Sequence, residues 1–72
     1  MFKFDKIRRD RIKNKMERKD LAKALLREGV VISFRTILNW EIGRTTPNAI
    51  HIEKIAYIFN EPVTSYFTTG RK

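Results

Sequence analysis

Arg35 and Asn39 stand four positions apart in the stretch SFRTILNW, residues 33–40. If that stretch is helical and Ile37 faces inward, about 100° per residue puts Arg35 near 160° and Asn39 near 200°, both pointing away from the core. Each head group matches a base edge: a guanidinium can grip guanine bidentately, and a carboxamide can do the same to adenine. The alternative is a pair of polar residues on a wet helix face. Chemistry of other kinds is poorly provided for. One histidine and no cysteine leave no credible set of metal ligands, and His51 reads as a solvated surface residue. The three glycines are isolated, so no phosphate-cradling loop is expected. Ser33 and Ser65 have no basic partner implied by any motif, and Glu17, Glu28, Glu53 and Glu61 look like surface charges. The expectation is a protein that is not an enzyme and that uses no cofactor and no metal.

The charge balance points to a polyanionic partner. The 72 residues carry 16 Lys and Arg against 8 Asp and Glu, for a net charge of +8. The excess is concentrated: residues 1–19 hold nine bases and three acids, whereas residues 20–72 hold seven and five. Either the first stretch is a solvated amphipathic helix with extra cations, or it is a functional basic face. With 42% hydrophobic residues the chain has enough apolar content to be globular rather than disordered. Its length suits one domain over residues 1–72, burying only roughly 60% of its unfolded surface and therefore stable by a thin margin. No apolar run is long enough for a signal peptide or a membrane span. The lack of cysteine fits a reducing compartment.

Apolar spacing is helical nearly throughout, so the fold class is all-α with no sheet. The first helix is expected over about residues 5–14, with Phe4, Ile7 and Ile12 as its apolar positions. The second covers about 18–28, where Leu21, Ala24, Leu25 and Glu28 share a face, and Gly29 stops it by taking positive φ without steric cost. Ser33 is the natural N-cap of a third helix over about 33–42 that ends at Gly43. Asn48 caps a fourth over about 48–59, striped by Ile52, Ile55, Ala56 and Phe59, and Asn60 ends it in the left-handed conformation. Pro62 opens a short fifth helix over about 62–67. Gly70, Arg71 and Lys72 are expected to fray.

Several of these elements carry a signature together. LAKAL (residues 21–25), TILNWEIGRTTP (36–47), IEKIAYIF (52–59) and EPVTSYF (61–67) resemble, in order, the Cro and repressor family of bacterial and temperate-phage regulators. The resemblance covers about residues 7–67. It implies a five-helix lambda-repressor-like helix-turn-helix domain whose third helix enters the major groove. Phe34, Arg35 and Asn39 then fall on the family's base-reading positions, and Arg11, Arg18, Thr36 and Arg44 on its phosphate-contacting ones. Arg8, Arg9, Lys13 and Lys15 would add less directed attraction. Arg11 and Glu41 also match a family pair that fixes the first helix against the third; the alternative is a surface ion pair worth under about 1 kcal/mol. The implied function is a small regulator of a genetic switch that binds operator DNA in the cytoplasm of a bacterial host. Tyr66 and Phe67 either pair two copies or cap the core.

Two features depart from the family pattern. The connection from Ala22 to Ser33 is long for a tight helix-turn-helix, and Val30 and Ile32 are expected to plug the core within it. The third helix is also unusually apolar: Phe34, Leu38 and Ile42 lie roughly 60°, 100° and 140° from Ile37. Either Phe34 folds back onto the core, or the row is exposed. Apolar side chains can read thymine methyls, but three in a row suit a helix that docks on another protein. Antirepressors, or modulators of repression, share this fold and bind a repressor. A partner surface of Phe34, Arg35, Leu38 and Ile42 on a cognate repressor is therefore the second expectation.

Overall fold

The computed structural model describes residues 2–67, so the expected fraying at Gly70, Arg71 and Lys72 lies outside the described residues. The chain forms α1 (Phe4–Lys13), α2 (Arg18–Arg27), α3 (Phe34–Glu41) and α4 (Ala49–Phe59), each within a residue of the expected limits. The fifth element departs from expectation. Pro62 does start it, but it is a single 3-10 turn over Val63–Tyr66. The Ser65 N–H and hydroxyl both donate to the Pro62 carbonyl, at 3.0 and 2.7 Å, which tightens the turn. Phe67 then returns to extended backbone and pairs with Phe2 in an isolated antiparallel bridge. That bridge is the only β pairing among the described residues.

Local signals account for both ends of the helices. The Ser33 hydroxyl accepts from the Thr36 N–H at 3.4 Å, and the Asn48 side chain accepts from the His51 N–H at 2.8 Å. Glu17 and Asp20 cap α2 reciprocally. All four helices end in the same doubly bonded left-handed turn. The N–H groups of Met16, Val30, Arg44 and Glu61 reach back to the carbonyls of Arg11, Leu25, Asn39 and Ala56. The left-handed positions are Lys15, Gly29, Gly43 and Asn60, with φ of 57°, 84°, 79° and 56°. Only Lys15 has neither glycine's freedom nor asparagine's tolerance there, a strain of about 1 kcal/mol.

The core gathers Leu21 and Leu25 from α2, Ile37 and Trp40 from α3, and Ile52, Ile55, Ala56 and Phe59 from α4. Val30 is buried and Ile32 packs against the same cluster, so the long α2–α3 connection does contribute a plug. The first helix corrects its expected pattern. Ile7 is fully buried, but Phe4 and Ile12 remain 46% and 51% exposed. What α1 buries beside Ile7 is polar: Asp10 and Arg11. His51 is likewise not a free surface residue; it is half-buried, with its ring 5.5 Å from that of Trp40.

Asp10 anchors the C-terminal turn. It accepts from the Tyr66 hydroxyl at 2.8 Å and pairs with Lys6 Nζ at 3.0 Å, and Lys6 also reaches Glu61 at 3.4 Å. Tyr66 is fully buried, which assigns it to the core and leaves Phe67 at the surface. Burial, the Asp10 hydrogen bond and the charges of Asp10 and Glu61 all push the Tyr66 phenol above its ordinary value of 10.0. Burial works to lower the Lys6 ammonium, but its bonds to Asp10 and Glu61 outweigh that and raise it above 10.5. Both groups therefore stabilise the fold fully below pH 10.0, and both contributions are lost above it, as the unfolded chain sheds protons that the folded one retains. Melting temperature should be level up to about pH 10 and fall beyond it. Tyr66→Phe should cost about 2 kcal/mol at neutral pH and flatten that alkaline fall. An unchanged alkaline slope in circular dichroism melts of the variant would contradict this assignment.

Candidate nucleic-acid interface

Glu41, the last residue of α3, has a side chain only 1% exposed. A carboxylate so deep requires charged partners, and α1 and α2 each supply one. Arg11 donates from Nε to Oε2 at 2.7 Å and from Nη2 to Oε1 at 3.2 Å. Arg18, on the first turn of α2, donates from Nε to Oε1 at 3.0 Å. Arg11 uses its remaining arm, Nη1, on the Met16 carbonyl at 2.9 Å, in the turn between α1 and α2. One carboxylate thus joins three helices, and its geometry sets the rotation of α3 about its axis.

With α3 held this way, Ile37 and Trp40 face inward and Arg35 stands exposed on the opposite side. Asn39 is half-buried beside it, its carbonyl accepting the N–H groups of Arg44 and Thr45 at 2.9 and 3.3 Å. Phe34 does not fold back onto the core: it is 52% exposed at the head of α3. Thr36 sits half-buried in the first turn, within the Ser33 cap. Arg44 is exposed just after the left-handed Gly43. Phe34, Arg35 and Asn39 thus lie along α3, and the backbone bond to Asn39 holds Arg44 close to that helix.

The other two phosphate candidates are placed differently. Arg11 is buried, and each of its three guanidinium nitrogens donates within the fold. Arg18 is committed through Nε to Glu41 but keeps its side chain 35% exposed, in an open cleft of about 350 Å³ lined by Arg11, Glu17, Arg18, Lys19 and Phe34. Sequence reasoning missed that Arg18 shares Glu41 with Arg11. A second cation in the first turn of α2, where an acidic cap already satisfies the helix end, was the available signal. On the apolar edge, Leu38 is half-buried and Ile42 is 56% exposed.

Among the described residues no helix is long and apolar enough to cross a membrane. Among the described residues no three His, Cys, Asp or Glu side chains come together as metal ligands would. A family model described as helix-turn-helix matches residues 7–65. No curated protein and no solved structure matches the chain.

The Glu41 clamp makes a stability prediction. Glu41→Ala leaves Arg11 buried without its counter-charge and should cost about 3–5 kcal/mol. Arg18→Ala should cost clearly less, because Arg18 is partly solvated and Arg11 still neutralises Glu41. Urea unfolding of the two variants checks the order; equal losses would mean the two cations share the carboxylate evenly.

Proposed function

The chain belongs to the Cro/XRE-like helix-turn-helix family of DNA-binding regulators, and on that premise we propose that it is a small phage-type regulator of a genetic switch. In this reading it binds operator DNA in a bacterial host's cytoplasm, with α3 in the major groove. Arg35 and Asn39 read base edges there, Phe34 meets a thymine methyl, and Thr36, Arg44 and the exposed arm of Arg18 meet phosphates. Arg11 acts indirectly, by orienting α3 through Glu41. The observation that carries the reading is Arg35: an unpaired guanidinium among the described ion pairs, exposed on the outer side of a rigidly clamped helix. If two copies bind a palindromic site, the exposed Phe67 is the aromatic available to pair them.

Binding of this kind neutralises phosphates, so affinity should fall steeply with salt. Arg35→Ala should weaken the complex by about 1–3 kcal/mol and relax preference at one base pair. Anisotropy titrations across the protein's own regulatory region test this; no segment binding better than random DNA at low salt would sink it.

The exposed edge of α3 favours one second reading. Phe34 and Ile42 keep half their surface in water, and a phosphate-lined groove does little for them. As an antirepressor, the protein would bury Phe34, Leu38 and Ile42 on a cognate repressor, with Arg35 at the rim, and block that repressor's own DNA binding. Calorimetry with a purified repressor N-terminal domain should then show binding that Leu38→Asp with Ile42→Asp abolishes. No heat at tens of micromolar would remove this reading.

A further inference from the structure

The apolar edge of α3 is one half of a larger feature. On α3, Glu41, Phe34, Leu38 and Ile42 lie roughly 40°, 60°, 100° and 140° around the helix axis from Ile37. On α1, Arg11, Phe4, Arg8 and Ile12 lie at the same angles from Ile7, again roughly 40°, 60°, 100° and 140°. The Arg11–Glu41 pair makes the Arg11 side of α1 and the Glu41 side of α3 face each other. The helices run in opposite senses: the Phe4 ring lies 3.4 Å from where a Cβ on Gly43 would sit, at the C-terminal end of α3, while Arg11 shares a cleft with Phe34 at its N-terminal end. Reversing the direction of one helix reverses its sense of rotation, so both rows fall on the same side of the seam. The seam is thereby flanked by Phe4 and Ile12, with Arg8 between them, along one wall and by Phe34 and Ile42 along the other, with the buried Arg11–Glu41 pair beneath. All four apolar residues are between 46% and 56% exposed.

Single exposed apolar residues are ordinary, but two matched rows across a helix seam gather four of them on one face. Exposed cations accompany it, Arg8 within the α1 wall, Arg35 at the outer rim of α3 and Arg44 just past its end, none of them in an ion pair among the described residues. We propose that the α1–α3 seam is a docking groove for an acidic amphipathic helix of a partner protein. Such a helix places apolar anchors at three- and four-residue spacing into the groove and carboxylates against the rim. The cleft beside Arg18 and Lys19 gives one anchor a recess. A second copy of this chain fits worse, because a two-fold contact would bring the same cations together. A duplex satisfies the cations and leaves the α1 wall wet. The docked helix covers Phe34 and crowds Arg35, so it withholds α3 from DNA. That regulatory consequence rests on the DNA reading above; the docking itself does not.

A displayed library of peptides with apolar residues at helical spacing and Asp or Glu elsewhere, set beside a matched library with Lys or Arg, tests the groove. Enrichment should be confined to the acidic library. The best peptide should bind Ile12→Ser with Ile42→Ser at least about tenfold more weakly, while the variant keeps the wild-type circular dichroism and melting curve. The peptide should also displace duplex, and Ile12→Ser alone should leave DNA affinity within about twofold. Enrichment of the basic library, of neither library, or undiminished peptide binding by the double variant would overturn the proposal. So would a homodimer in sedimentation that the same double variant dissolves. A peptide bound in a groove-dependent way by a protein that binds no DNA would uphold the docking and remove the DNA reading alone.

Discussion

A single buried carboxylate organises this domain. Glu41 has almost no access to water, so the folded state is viable only if positive charge reaches it from elsewhere in the chain. Arg11 and Arg18 do so from two different helices. Apolar contacts tolerate small shifts and rotations; charge-assisted hydrogen bonds between 2.7 and 3.2 Å do not. The clamp therefore converts a loosely specified three-helix contact into one orientation of α3. Arg11 extends the constraint by holding the Met16 carbonyl, which fixes the turn that delivers Arg18.

A second polar node works at the other edge of α1. Asp10, one residue before Arg11, gathers Tyr66 and Lys6 and so ties the C-terminal turn to the first helix. The Lys3 N–H to Tyr66 carbonyl bond of 2.7 Å and the edge-on contact of the Phe2 and Phe67 rings close the same corner. A chain this short has little apolar area to bury. Two adjacent charged residues of α1, facing different neighbours, supply directionality that one buried isoleucine cannot.

The outward side of the domain follows from what the clamp excludes. Because Glu41 and Arg11 fill the α1–α3 contact with polar groups, the larger apolar side chains beside them are held at the seam's outer edge rather than in the core. The face is thus mixed, with a charged part suited to phosphates and base edges and an apolar part suited to protein. Phe34 and Arg35 belong to both parts, so under the proposed readings occupancy by one partner would exclude the other.

The helix ends, the caps at Ser33 and Asn48, the left-handed stops at Gly29, Gly43 and Asn60, and the family signature were legible from residue order. Each depends on chemistry within a few positions of itself. The Arg11–Glu41 pair was legible only through the family resemblance. The participation of Arg18, the bond between Asp10 and Tyr66, the packing of His51 against Trp40, and the exposure of Phe4 and Ile12 were not legible. Periodicity says which residues share a helix face, but not which neighbour that face meets or at what height the helices cross. For α1 those two quantities decide everything: the same row of residues would be core against a wider partner, and here it is an outer wall, because a buried ion pair occupies the contact in its place.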